Sequence, residues 1–230
     1  MEPFEAAVQR LCAGGLVAFP TETVWGLGAD ATSPEALARL LAWKGRSTDQ
    51  PIAVLVEGLD GLEPLGVEAT PVARALAEAF WPGPLTLVVP TARSHFAPGV
   101  GRADGAVGLR CSPDPTAMAL VRALARAGAG PLTATSLNRH GEPSATSQSE
   151  ARALCAAYPG PELVAPLADS GPELVVPLAD SSSSHANPST VVDCTGPTFQ
   201  LIREGAIAAD AVAAAVHGGP AVPTGVEASR

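Results

Sequence analysis

Residues 19–28 read Phe19-Pro20-Thr21-Glu22-Thr23-Val24-Trp25-Gly26-Leu27-Gly28. They close a short apolar run, Leu16 to Phe19, whose length and composition suit a buried strand. Thr21 and Thr23 alternate along an extended segment. That spacing sends them to opposite faces, one toward a pocket and one bracing the loop. Gly26 and Gly28 bring backbone amides close enough to hold a small polar ligand. Lys44-Gly45-Arg46 then supplies two cations from a second element. Paired cations hold an anion, or they sit in solvent at a helix end, where the dipole favours positive charge. Together the two stretches point to a phosphorylated or carboxylated small-molecule ligand.

Outward from that stretch, helical and strand patterns alternate. Phe4 to Ala13 has helical spacing and stops at Gly14-Gly15. Ser33-Pro34 caps a helix that runs to Trp43, with Lys44 and Arg46 just past its end. Ile52 to Val56, Leu85 to Val89, Ala106 to Leu109, Leu132 to Thr135, Thr190 to Asp193 and Phe199 to Ile202 read as strands. Helices are expected from Pro71 to near Phe80 and over 115–127, 149–158 and 208–216. No composition break divides the pattern, which predicts one α/β domain with a mixed or mostly parallel sheet. Residues 160–170 recur as 171–181 with one change, Ala165 to Val176. Two copies are too few for a solenoid, so the reading is a duplicated surface-loop insertion over 160–184 that ends in a serine spacer. The domain is expected over 1–217, with a frayed tail over 218–230.

The chain has 230 residues, 47% hydrophobic and 16% charged, enough to bury a substantial core. Its formal net charge of −9 disfavours a broad basic stripe for nucleic acid, so any basic cluster is local. No apolar run is long enough to span a membrane, and the N-terminus lacks the pattern of a signal peptide. A soluble, cytoplasmic protein is expected. The four cysteines, Cys12, Cys111, Cys155 and Cys194, contain no Cys-x-x-Cys pair. They read as reduced thiols rather than a zinc site, and no metal ligand set is assigned.

Further candidates stand at strand ends. Arg110 ends one strand. Ser136, Asn138 and Ser144 follow another, Ser189 precedes a third and Arg203 follows a fourth. Each has a bland reading as an ion pair, cap or turn residue. In common they put a hydroxyl or cation at the mouth of each strand. There are no paired carboxylates for acid/base work, no Gly-x-Ser-x-Gly elbow, no P-loop and no Gly-x-Gly-x-x-Gly. The chemistry suggested is positioning and charge neutralisation, as in phosphoryl or nucleotidyl transfer.

Seven blocks in order carry a family resemblance: residues 19–28, Lys44-Gly45-Arg46, residues 81–88 (Trp-Pro-Gly-Pro-Leu-Thr-Leu-Val), Val107 to Arg110, Thr135-Ser136-Leu137-Asn138 with residues 141–144, Pro188 to Asp193, and Ile202 to Gly205. In these the chain resembles the YrdC-like family of threonylcarbamoyl-AMP synthases. The resemblance implies a twisted mixed sheet with flanking helices around a large electropositive cavity. It implies a nucleotidyltransferase that joins L-threonine, bicarbonate and ATP, with Mg2+ accompanying ATP, for threonylcarbamoyladenosine modification of tRNA. A transferase complex would take the product, and direct nucleic-acid binding would be weak or absent. Carried over by motif, Thr23, Arg110 and Ser189 would bind threonine. Lys44, Arg46, Gln50, Ser136, Asn138, Ser144 and Arg203 would bind ATP, with Lys44 and Arg46 as the catalytic pair. Trp25 replaces the family's Tyr, and Leu137 replaces its Ala and would crowd the nucleotide. Leu55 stands where some members place a threonine-side His. The alternatives are an RNA-binding module without synthase activity and a carbamoyl-adenylate-forming enzyme; the charge disfavours the first and the length the second.

Overall fold

The computed structural model describes residues 3–91, 96–164 and 187–217. Among them are nine strands and six α-helices. The strands are β1 (Leu16–Phe19), β2 (Gly26–Gly28), β3 (Ala53–Leu55), β4 (Leu85–Pro90), β5 (Ala106–Arg110), β6 (Thr133–Ser136), β7 (Pro161–Leu163), β8 (Thr190–Asp193) and β9 (Gln200–Arg203). They form one sheet in the order β7-β1-β2-β6-β3-β5-β4-β8-β9. The sheet is mixed: β7 is parallel to β1, β5 to β3 and β8 to β4, and the other neighbours are antiparallel.

The helices are α1 (Pro3–Cys12), α2 (Pro34–Lys44), α3 (Pro71–Phe80), α4 (Pro115–Arg126), α5 (Gln148–Ala157) and α6 (Ala209–His217). Local chemistry sets several ends. Ser33 accepts from the Ala36 N–H and Asp114 from those of Thr116 and Ala117, each ahead of a proline in the first turn. Gly45 closes α2 in the left-handed region at φ 65°. The apolar faces of α1 and α4 pack with Val17, Phe19, Leu55 and Leu132. A larger cluster gathers α2 and α3 residues, Leu37, Leu40 and Leu76 among them, with Leu27, Val54, Leu87 and Leu109.

Three expectations change. Gly26 to Gly28 is a strand, although glycines favour none. The reason is space: a Cβ on Gly26 would stand 2.9 Å from the Phe19 ring, and one on Gly28 would stand 2.8 Å from that ring and from the Thr133 carbonyl. These glycines let β2 lie against Phe19 rather than simply offering amides. Pro161–Leu163 pairs with β1 as an edge strand, so the first repeat copy begins in the sheet and not in a loop. Lys44 is the last residue of α2 and is buried at 3% exposure, not a solvated charge beyond the helix. The second repeat copy, the serine spacer and the tail lie outside the described residues. No helix among the described residues is long and apolar enough to cross a membrane.

Candidate functional site

One face of the sheet walls a cavity of about 450 Å³. Alternate residues of neighbouring strands reach it, as the two-residue strand period requires: Thr86 and Val88 on β4, Gly108 and Arg110 on β5, Val191 on β8 and Arg203 on β9. Register puts them side by side, Thr86 opposite Arg110 and Val191, and Val191 opposite Arg203. Small residues, Ala53, Gly108 and Ala134, leave the middle hollow. The 21–26 segment and residues 46 and 51–52 supply further lining, with Ser144 and Arg102.

Thr21 and Thr23 do not face opposite ways. The chain bends over 22–24 instead of staying extended, and both residues line the cavity with their hydroxyl oxygens 3.2 Å apart. The Thr21 hydroxyl donates to the Val24 carbonyl at 2.6 Å, which holds the bend. Arg110 Nη2 donates to Thr23 Oγ1 at 2.7 Å and to Glu22 Oε1 at 2.6 Å. Ser112 donates to the other Glu22 oxygen at 2.5 Å. Across the floor, the Ser189 and Thr86 hydroxyls are 3.0 Å apart. Arg203 donates through Nη2 to the Ser189 carbonyl at 2.8 Å and to its hydroxyl at 3.2 Å. The buried Thr190 hydroxyl fixes that corner: it donates to the Ile207 carbonyl at 2.7 Å and accepts the N–H groups of Gly205 and Ile207.

Among the described residues, four arginines, Arg46, Arg102, Arg110 and Arg203, line the cavity, and no Asp or Glu does. Burial lowers the pKa of Arg46, and the Arg203 charge lowers it further; burial and then Arg110 act likewise on Arg203. These cations repel one another. Among the described residues, Arg46 and Arg203 have no carboxylate partner. Arg46 Nε and Arg110 Nε are buried without a hydrogen-bond partner. Unpaired guanidinium donors are what an anionic ligand would satisfy.

Thr23, Arg46, Arg110, Ser136, Ser144, Ser189 and Arg203 therefore share one cavity. Lys44, Asn138 and Gln50 are not among its lining residues. Lys44 Nζ lies behind the wall and donates to the Ser136 carbonyl at 2.6 Å and to Asn138 Oδ1 at 2.8 Å. Asn138 Oδ1 also accepts from the Ser136 hydroxyl at 2.7 Å, and its amide donates to the Glu142 carbonyl at 2.6 Å. Lys44 and Asn138 thus position Ser136. Burial, then Arg46 and Arg139, lower the Lys44 pKa to about 7. Gln50 is exposed and contributes its carbonyl to Arg46. Leu137 is fully buried in the core and does not crowd the cavity, because it alternates with Ser136. Leu55 points into the α1–α4 layer. Trp25 lines the cavity, and its backbone bonds Ala145 and Leu137, tying the 136–145 loop to the threonine segment. All four cysteines are free. Sequence reasoning missed Glu22, Thr86 and Arg102. Glu22 and Thr86 stood inside quoted blocks, but only the pairing of distant strands gives them partners.

Fold and site define an α/β protein with an arginine-lined cavity on one sheet face. The family model described as "Telomere recombination", which spans Sua5, YciO and YrdC, matches residues 9–158, and the chain belongs to that family. A Mycobacterium tuberculosis protein, provisionally named a threonylcarbamoyl-AMP synthase, is 37% identical over 90% of this chain and 86% of its own. The threonylcarbamoyl-AMP synthase of Chromohalobacter salexigens is 42% identical over 64% of this chain and 77% of its own. The crystal structure of Pyrococcus abyssi Sua5 with L-threonine superposes with a TM-score of 0.76 at 28% identity, over 96% of this chain. The chain spans 62% of that Sua5 chain.

Proposed function

We propose that this chain is a threonylcarbamoyl-AMP synthase, which makes threonylcarbamoyl-adenylate and diphosphate from L-threonine, bicarbonate and ATP. The observation that carries the reading is one cavity lined by both polar sets: Thr23, Arg110 and Ser189, together with Arg46, Arg203, Ser136 and Ser144. Its volume lies within the roughly 300–1,000 Å³ of small-molecule sites. The synthase relatives, and the Sua5 structure named for its L-threonine complex, support the same reading.

The chemistry follows from the charges. The threonine amine, after losing a proton, adds to the carbon of bicarbonate or carbon dioxide, and a second proton leaves to give the carbamate. From bicarbonate, that second proton leaves together with the bicarbonate hydroxyl as water. A carbamate oxygen then attacks the α-phosphorus of ATP in line, the bond to the β-phosphate oxygen breaks, and diphosphate departs. Nucleophile and electrophile are both anions. Arg46 and Arg203 offset their repulsion, each charge-assisted contact contributing about 1.5–3 kcal/mol. Arg110 holds the threonine carboxylate, and the Thr23 and Ser189 hydroxyls orient the amino acid. Lys44 and Asn138 keep Ser136 aimed at the nucleotide. Mg2+ accompanying ATP as substrate would offset charge on the leaving diphosphate. The product serves tRNA modification through a separate transferase complex in the cytoplasm.

The test is diphosphate release from ATP by the purified chain. It should require both threonine and bicarbonate. Release that ignores threonine would contradict the proposal.

A further inference from the structure

In the synthase scheme the one-carbon unit must sit between the amino acid and the α-phosphate. The sheet register puts a polar group at that place. Arg110 on β5 stands opposite Thr86 on β4, Thr86 opposite Val191 on β8, and Val191 opposite Arg203 on β9. Neighbouring strands lie about 4.8 Å apart. Thr86 is thus one strand from the cation assigned to the threonine carboxylate and two from a cation assigned to phosphate. Its hydroxyl is 3.0 Å from that of Ser189.

Counting hydrogens shows what this pair offers. Two hydroxyls carry two hydrogens. One lies between the oxygens, whichever of them donates. Arg203 Nη2 donates to Ser189 Oγ at 3.2 Å, which occupies an acceptor position and not the second hydrogen. Among the described residues, neither hydroxyl has a further acceptor for that hydrogen. Thr86 and Ser189 are both buried, and both line the cavity. A buried O–H without an acceptor is costly, so the pair holds one donor for a ligand oxygen. A cation flanks it on either side, and among the described residues no carboxylate lines the cavity. An anionic oxygen suits that setting. The adjoining space is small. Gly108 has no side chain, and a Cβ there would stand 3.5 Å from Thr86 Cγ2 and 3.6 Å from the Ala53 Cβ. A bicarbonate ion or a carbamate head is planar, anionic and one carbon wide, and matches both the donor and the gap.

We propose that the Thr86–Ser189 hydroxyl pair is the subsite for the one-carbon unit. It donates one hydrogen bond to an oxygen of bicarbonate, and then of the carbamate, and so turns another carbamate oxygen toward the α-phosphorus. No proton is transferred to or from the pair. This rests on the synthase reading, in which Arg110 holds the threonine carboxylate and Arg203 the phosphates.

The test compares wild type with Thr86→Val, which swaps the hydroxyl for a methyl group of similar shape, and Thr86→Ser, which keeps the hydroxyl. Melting temperatures report folding, and Thr86→Ala replaces Thr86→Val if the latter does not fold. Diphosphate release is followed in CO2-free buffer with added bicarbonate. Thr86→Val should lower kcat/KM for bicarbonate by about 2- to 13-fold, the worth of one neutral hydrogen bond, and Thr86→Ser should regain most of it. Calorimetric Kd values for L-threonine and for ATP, measured without bicarbonate, should stay within about twofold. An equal loss of threonine affinity would overturn the proposal, because the pair would then serve the amino acid. An unchanged response to bicarbonate in Thr86→Val would also overturn it. A second readout needs no turnover: the protein with L-threonine should broaden the 13C-bicarbonate resonance, less so in Thr86→Val than in wild type or Thr86→Ser. That pattern in a wild type that releases no diphosphate would sink the synthase reading and leave the subsite standing. Neither broadening nor release in wild type would overturn both.

Discussion

Lys44 is the only lysine in the chain, so its ionisation can be read without interference from others. Its ammonium is 3% exposed, bonded to the Ser136 carbonyl and Asn138 Oδ1, and close to Arg46 and Arg139. Burial first, and these two cations second, bring its pKa from 10.5 to about 7. The folded protein therefore binds this proton more weakly than the unfolded chain does. Between pH 7 and 10.5 the unfolded state holds more protons, and stability rises with pH; below pH 7 both states are protonated and the contribution is flat. The slope approaches about 1.4 kcal/mol per pH unit. Integrated from pH 7 to pH 9, the gain is about 2 kcal/mol. Lys44→Met abolishes it, at a constant offset of about 1–3 kcal/mol for the lost hydrogen bonds to the Ser136 carbonyl and Asn138 Oδ1. Cys111, Cys155 and Cys194, whose pKa values burial raises, act in the opposite direction. The assay is therefore the difference between wild type and variant in urea unfolding at several pH values. A parallel check follows the single resonance of 13Cε-lysine through pH, with an expected midpoint near 7 and a higher midpoint once ATP supplies negative charge. A midpoint above 10, or parallel stability curves, would refute the reasoning.

Three further outcomes are expected. Arg46→Ala should keep its melting temperature but bind ATP about 10- to 150-fold more weakly by titration calorimetry, from the loss of one charge-assisted contact. Leu137→Ala, at a fully buried core position, should lower stability by about 2–5 kcal/mol in denaturant unfolding while leaving ATP affinity unchanged. Gly205→Ala would place a Cβ 2.1 Å from the Pro188 carbonyl; displacement of Ser189 should raise the KM for threonine in diphosphate-release kinetics more than the KM for ATP.

Much of the fold was legible because burial has a period. The run Thr190 to Asp193 is a strand at the bounds its apolar alternation suggested, and the Ser33-Pro34 cap starts α2 where the pattern put it. Strand β2 was hidden because its identity lies in the Phe19 ring that packs on two glycines, a tertiary fact. Strand β7 was hidden because three residues inside a repeat carry too little pattern. Seven proposed site residues were legible through motif order and do share a cavity. The orientation of each side chain was not. Whether Lys44 faced the cavity or the Ser136 loop depended on a contact 92 residues away. The inward turn of both threonines depended on a bend closed by the Val24 carbonyl. Arg102 left no signal, since only the fold of its turn back onto β5 brings it to the cavity.

The central claim is that one cavity unites threonine, bicarbonate and ATP. Incubating the chain with L-threonine, ATP and 13C-bicarbonate, and resolving the products by mass spectrometry, tests it directly. The account predicts threonylcarbamoyl-adenylate carrying one 13C atom, formed in step with diphosphate. An adenylate without the label, or no threonine-containing adenylate at all, would contradict it.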